Sequence, residues 1–384
     1  MAKRSPDVSW QDAIGSMLRR IETTATSLAA GFPHYGDPDT GSWTTSPAGD
    51  WTGGHWVGEL WLASADTAEP RYREWAARWC AALRPRASSD TIFRSFLFYY
   101  GAALGDILCN DPNGQAIGLE GARGLAAMYN ARAQVLPLGG EAEEASDVGD
   151  GEASIDAVGS ICGLLAWASE KTGDESCRRI AREHALRHID FCVREDGSVG
   201  QSATFDKQTG AVLRRYTHKG YSERSTWGRA QAWGMLAYVL AARWIPGERA
   251  FLEAAEMTAE WWLARVPVDN VAYWDFDDPA IPNTFRDTSA TAIAAAALLK
   301  LAALAPDRAR GQRYREAAED TVQALVAGYL TPTDAEDRRP PGILTQGCYN
   351  PRIGLATRNE LIWGDYYLFE ALQVLAGRLS PLAV

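Results

Sequence analysis

Histidines are few, cysteine motifs are missing and no long apolar run interrupts the chain. Cys80, Cys109, Cys162, Cys177, Cys192 and Cys348 never fall into a CxxC spacing, which excludes a zinc knuckle and a thiol redox pair. Scattered thiols in a large chain fit a reducing compartment, where they act as small buried hydrophobes. Of the five histidines, His34, His55, His184, His188 and His218, only His184 and His188 have the i, i+4 spacing that grips a metal. No third ligand accompanies them in sequence, so no metal and no cofactor are expected. No stretch approaches 18 uninterrupted apolar residues, which excludes a membrane-spanning helix. The N-terminus, MAKRSPDVSWQDAIG, has neither an apolar core segment nor a small-residue cleavage site, so a cytoplasmic protein is expected. Basic residues are outnumbered, 38 against 49 acidic, for a net charge of −11. That balance, with no local basic run, excludes a nucleic-acid phosphate backbone as partner. GxxxxGK[ST], GxGxxG after a strand and GxSxG are absent, leaving nucleotide binding and serine hydrolysis without support.

What the 384 residues do have is 46% hydrophobic content, a globular value, and 15 Trp, 14 Tyr and 10 Phe. That is more flat aromatic surface than a core requires. Periodicity predicts twelve helices and very few strands. The helices fall near 9–30, 53–66, 70–83, 90–107, 114–133 and 153–171 in the first half. The second half reads 175–193, 226–243, 247–264, 287–303, 310–329 and 359–377. Odd-numbered helices such as RYREWAARWCAAL carry a charged stripe, whereas even-numbered ones such as SIDAVGSICGLLAWAS are apolar or small on most faces. A helix apolar all round belongs inside and a striped one outside. Strict alternation therefore predicts two concentric layers of helix hairpins. Links after the inner helices are short (169–176, 244–249), and those before them are mostly long: 31–52, 134–152, 194–225, 265–286 and 330–358. The expected fold is all-α, an (α/α)6 barrel of six hairpins in a single domain over 1–384, its long functional loops at one end. A plain helical solenoid would show a cleaner repeat and terminal caps.

Nearly every chemically unusual residue lies where an inner helix begins. These starts carry Trp51, Asp90, Asp156, the group His218, Lys219, Trp227, Arg229 and Trp233, then Trp274, Asp275 and Arg286, and finally Trp363 and Asp365. Converging helix starts predict a bowl lined by indoles, a few carboxylates and a few cations. Such a bowl suits a pyranose, whose C–H face stacks on indole while its hydroxyls seek polar partners. Cations within an acidic protein point to a sugar bearing a carboxylate. An aspartate opening a helix ordinarily caps it. Here Ser154 precedes Asp156, and Ser88 and Ser89 precede Asp90, so serine can cap and leave each carboxylate available. Two carboxylates in one aromatic pocket can be driven to different pKa values for general acid–base work.

The motifs resemble those of the unsaturated glucuronyl hydrolases, glycoside hydrolase family 88, over roughly residues 50 to 375. The matching segments include GDWTGGHWVGELWLA, SSDTIFRSFLFYYG, EASIDAVGSICGLLAWA, RRYTHKGYSERSTWGRAQAWG, YWDFDDPAIPNTFRDTSATAIAAAALL and RNELIWGDYYLFEAL. The resemblance implies an (α/α)6 barrel that acts on lyase-generated oligosaccharides ending in a 4,5-unsaturated uronate. It implies hydration of the C4=C5 vinyl ether rather than displacement at the anomeric carbon. Asp156 matches the family's general acid/base and Asp90 its partner carboxylate. His218, Trp227, Arg229 and Trp233 match substrate-binding positions, to which Gln201, Lys219, Trp51 and Trp274 are added. The chain departs from the pattern at Ser89 and Gln201, where members carry His, and at Lys219, where they carry Gln. Alternatives are an unsaturated rhamnogalacturonyl hydrolase (family 105), a non-catalytic carbohydrate-binding toroid, and an epimerase relying on paired histidines. The sequence leaves monomer and dimer both open.

Overall fold

Helices with and without a polar stripe sort into two layers. The computed structural model describes residues 9–143 and 151–384. Residues 1–8, part of the stretch read for a leader, and 144–150, part of the long link 134–152, lie outside the described residues. The helical segments of the first half are α1 (Trp10–Ser27), α2 (Gly53–Thr67), α3 (Pro70–Leu83), α4 (Arg94–Phe98), α5 (Leu104–Cys109), α6 (Pro112–Ala126) and α7 (Val158–Thr172). Those of the second half are α8 (Glu175–Cys192), α9 (Gly228–Trp244), α10 (Arg249–Leu263), α11 (Thr288–Leu304), α12 (Arg308–Tyr329) and α13 (Ile362–Leu375). A π turn at Tyr99–Ala103 joins α4 and α5 into one interrupted helix, so the segments make the twelve helices expected.

The inner helices α2, α4–α5, α7, α9, α11 and α13 form a ring, each packed on its neighbours, and α13 closes it against α2. Arg20 of α1 strengthens the closure: its Nε donates to Glu360 at 2.8 Å, tying the first outer helix to the residues before α13. Inner helices meet closely because glycine faces a neighbour. A Cβ on Gly54 would sit 2.1 Å from the Phe96 carbonyl oxygen, and one on Gly163 would sit 2.4 Å from the Tyr99 ring. The outer helices bury one stripe only. In α8 that stripe is Cys177, Ile180, Ala181, His184, Ala185, His188 and Phe191, at helical spacing. Both histidines thus face inward, where burial pushes their pKa values down, that of His188 to about 4. Among the described residues no group of three or more His, Cys, Asp or Glu could hold a metal ion, and no helix is long and apolar enough to cross a membrane.

Local chemistry sets the alternation of links. After α7 the chain reverses over Gly173 and Asp174: Gly173 takes the left-handed conformation (φ 76°) and Asp174 caps α8 by accepting the Ser176 N–H. Before the inner helices the links are long, the one between α3 and α4 excepted. They carry six short strands: β1 (Phe32–Gly36), β2 (Trp43–Ser46), β3 (Glu152–Ser154), β4 (Ser202–Phe205), β5 (Val212–Tyr216) and β6 (Glu360–Leu361). These pair into two antiparallel sheets, ordered β2-β1-β6 and β3-β4-β5, at the loop end of the toroid. Two expected helix starts therefore move. Residues 90–93 precede α4 as turns, and the segment expected to begin a helix at 153 is strand β3 followed by a 3-10 turn at Ile155–Ala157. Pairing with β4, some 50 residues on, overrides the local helical pattern there.

Candidate active site

The second sheet sets the central side chain. Ser154 on β3 pairs with Ser202 on β4, and the Ile155 N–H donates to the Gln201 carbonyl at 3.0 Å. This register brings Asp156 and Gln201 side by side. Ser154 Oγ accepts the Asp156 N–H at 3.3 Å, so the serine caps the turn and the carboxyl is left for other work. Gln201 Nε2 donates to Asp156 Oδ2 at 3.0 Å, while Gln201 Oε1 accepts the Lys219 N–H at 3.0 Å. Because that backbone donor occupies the amide oxygen, the amide must present its N–H group to Asp156. Asp156 Oδ1 is buried with no hydrogen-bond partner among the described residues. Burial pushes the Asp156 pKa up; the nearby Lys219 charge opposes it most, followed by the Gln201 bond, Arg229 and Ser154. With Oδ2 engaged as an acceptor, Oδ1 is the oxygen left to carry a proton whenever the carboxyl is protonated.

Asp156 lines a cavity of about 310 Å³ with Trp51, Phe93, Phe96, Glu143, Lys219, Trp227, Arg229 and Trp233. The aromatic wall is interlocked: Trp51 Nε1 donates to the Tyr349 hydroxyl at 3.1 Å and its ring lies 4.7 Å from Trp363, while Phe96 meets Trp233 at 5.3 Å. His55 stacks on Tyr100 at 4.8 Å, and burial holds its pKa down to about 3, so it stays neutral.

Of the cations expected in the bowl, Arg229 is committed to the protein. Its Nη1 donates to Asp287 at 2.7 Å and to the Cys348 carbonyl at 2.6 Å, and its Nη2 to the Tyr349 carbonyl at 2.6 Å. Its guanidinium also lies 4.4 Å from the Trp227 ring centre. Arg229 thus braces the wall, with its charge matched by buried Asp287. Lys219 Nζ lies 5.4 Å from the Tyr349 ring centre.

Several expected site residues stand elsewhere. Asp90 is exposed and is not among the cavity's lining residues. Its Oδ2 accepts the Gly140 N–H at 2.9 Å, and its own N–H donates to the Glu141 carboxylate at 2.8 Å. The chain at 139–141 captures Asp90, and Ser89 Oγ accepts from Arg86 Nε instead of capping α4, which starts only at Arg94. Trp274 is buried as packing, its Nε1 donating to Asp278 at 2.7 Å. His218 is half-buried beside the cavity, with Nδ1 3.3 Å from Ser202 Oγ, and does not line it. Gln201 is fully buried and reaches the cavity through Asp156. Sequence reasoning missed Phe93, Phe96 and Glu143. The two phenylalanines lie in the segment read for Asp90. Glu143 belongs to the acidic run GGEAEE in the long link before α7, and an acidic run at a loop-built mouth was the signal available.

Indole walls around one buried carboxyl suit acid–base chemistry on a sugar, which makes the class a carbohydrate-active enzyme. Comparison with known proteins narrows it. No protein-family model matches the chain. The unsaturated glucuronyl hydrolase of Bacillus sp. strain GL1 is 36% identical over 368 residues, 94% of this chain and 96% of that protein. The unsaturated chondroitin disaccharide hydrolase of Streptococcus pyogenes serotype M1 is 29% identical, over 84% of this chain and 80% of that one. The crystal structure of the Bacillus sp. GL1 enzyme superposes with a TM-score of 0.87, covering 96% of this chain and 97% of that one. An unsaturated glucuronyl hydrolase specific for heparin, 25% identical, also gives 0.87 over 97% and 98%. The chain belongs to the unsaturated glucuronyl hydrolases and has their helical toroid fold, as the motifs implied.

Proposed function

We propose that this protein, acting as one catalytic domain over 1–384, removes the 4,5-unsaturated uronic acid from the non-reducing end of lyase-generated oligosaccharides. The observation that carries the mechanism is the Asp156 carboxyl, with Oδ2 held by Gln201 and Oδ1 buried and unpartnered among the described residues. Asp156 gives its Oδ1 proton to C4 of the vinyl ether, and positive charge develops at C5 and the ring oxygen. Water adds at C5 and returns a proton to the Asp156 carboxylate, restoring the acid. The resulting hemiketal opens by breaking the bond from C5 to the ring oxygen. The anomeric carbon, now a hemiacetal, releases the second sugar as an alcohol and becomes an aldehyde.

The other side chains fit this sequence. Lys219 beside Asp156 supplies positive charge for the uronate carboxylate, and Trp51, Trp227 and Trp233 give the ring flat surfaces. Gln201 positions Asp156, and His218 contacts Ser202, the residue after Gln201 that opens β4. Arg229 acts through the Trp227 and Tyr349 wall, and Trp274 through packing. Asp90 keeps the role of second carboxylate in this reading, which requires it to leave the Gly140 N–H and turn to the ring when substrate fills the mouth. Catalytic hydrogen bonds often tighten only then. Six unpaired cysteines support cytoplasmic placement. The test is incubation with an unsaturated uronate disaccharide while following the ultraviolet absorbance of its conjugated double bond. Loss of absorbance with release of the second sugar is expected; constant absorbance across a panel of such disaccharides refutes the reading.

A further inference from the structure

The hydration steps leave one acidic side chain of the cavity unassigned. Glu143 lines it together with Asp156 and Lys219, and its Oε2 is buried with no hydrogen-bond partner among the described residues. Its Oε1 accepts from the Arg86 guanidinium. Arg86 is anchored in turn, donating from Nη1 to the Asp50 carbonyl at 3.1 Å and from Nε to Ser89 Oγ at 3.0 Å. The chain that carries Glu143 is pinned as well. The Glu141 N–H donates to the Asp90 carbonyl at 2.8 Å, and a Cβ on Gly139, which has φ 95°, would sit 2.2 Å from that same oxygen. Only glycine permits so close a passage. Glu143 is therefore fixed in the cavity by anchors that need no ligand. Lys219 reaches the cavity on a separate link, the one before α9, with its ammonium near Tyr349.

A carboxylate oxygen buried without a partner is an acceptor awaiting a donor. Protonation of C4 needs that carbon at Asp156 Oδ1, so the ring that fills this cavity is the unsaturated uronate itself. A lyase removes the oxygen from C4 as it makes the double bond, which leaves that ring hydroxyls on C2 and C3 alone. The uronate carboxylate, on C5, has no proton to offer at neutral pH and is drawn to Lys219. C2 stands across the ring from C5 with C3 beside it, so a carboxylate held at Lys219 turns both hydroxyls away from the ammonium. We propose that Glu143 is a further substrate-contacting residue, its Oε2 accepting a hydroxyl from C2 or C3 of the unsaturated uronate. The bond orients the ring so that C4 meets Asp156, and it sets a fixed negative charge beside a ring whose C5 and ring oxygen turn positive on protonation. Glu143, and not the exposed Asp90, is the carboxylate that lines the cavity with Asp156. The inference rests on the function proposed above and assigns a contact within the same site.

The test is a cycle between one side chain and one hydroxyl. The parent substrate is the unsaturated uronate disaccharide that the natural chain turns over fastest, and it is compared with its 2-deoxy and 3-deoxy uronate forms, the second sugar unchanged. In the natural chain, removal of one of the two hydroxyls should lower kcat/KM at least tenfold. Glu143→Gln, which keeps the shape and can still accept from Arg86, should cost at least tenfold on the parent but less than threefold on that same deoxy substrate, because the contact is already gone. Where a deoxy substrate turns over too slowly to compare, its affinity for Asp156→Asn proteins with and without Glu143→Gln replaces kcat/KM. Equal turnover of all three substrates by the natural chain overturns the proposal. So does a Glu143→Gln cost below tenfold on the parent, or one of threefold or more on both deoxy forms, which would set Glu143 against another part of the substrate. Failure of the natural chain to turn over any unsaturated uronate disaccharide refutes the functional reading and the inference with it. Turnover of the parent that Glu143→Gln leaves unchanged refutes the inference alone.

Discussion

Replacing Asp156 by Asn tests the mechanism and the electrostatics together. The amide cannot donate an acidic proton to C4, and positioned general acid–base groups typically contribute about 10²- to 10⁴-fold. At about 1.4 kcal/mol per decade this is roughly 3–5 kcal/mol of transition-state stabilisation. The fold has little to lose, because an Asn oxygen can still accept from Gln201 Nε2 and its NH2 takes the place of the unpartnered Oδ1. The pH dependence of stability has a definite sign. Burial raises the Asp156 pKa in the folded chain. Its contribution to stability is then fully present below the unfolded carboxylate pKa and is lost as pH rises through the higher folded value. Asp156→Asn removes that slope. The variant should lose at least a hundredfold in kcat by the absorbance assay. Relative to the natural chain, its Tm should improve between pH 4 and pH 8. Turnover within tenfold of the natural chain would refute Asp156 as the proton donor. A Tm difference that does not change with pH would refute the electrostatic account.

Three other substitutions probe the remaining roles. Lys219→Met removes the strongest influence holding the Asp156 pKa down, so Asp156 stays protonated to higher pH and the alkaline limb of kcat/KM should move upward; a limb unmoved or moved downward contradicts the assignment. Arg229→Met leaves Asp287 buried without its cation and three hydrogen bonds unmade, which should cost about 3–5 kcal/mol in denaturant unfolding. A loss confined to substrate affinity would mean that Arg229 serves the ligand instead. Asp90→Asn should lower kcat with little change in Tm, because the side chain is exposed and makes one bond to Gly140; unchanged kcat removes Asp90 from the mechanism.

Much of this protein is legible along one dimension. Alternating striped and apolar helices, with long links before the inner ones, define a two-layer toroid, because period and polarity are local properties that any packing must satisfy. Ser154 ahead of Asp156 already marks a carboxyl released from capping, again from immediate neighbours. Tertiary structure decided everything that joins distant loops. The pairing of β3 with β4 put Gln201 against Asp156, the chain at 139–141 took Asp90 out of the cavity, and Asp287 with the Cys348 and Tyr349 carbonyls claimed Arg229. Glu143 became part of the site only because Arg86, far back in the chain, holds it there. A side chain's helix or strand is written in the few residues around it. The charge or amide it finally meets depends on how loops tens or hundreds of residues apart are brought together, and that is settled only when the ring of helices closes.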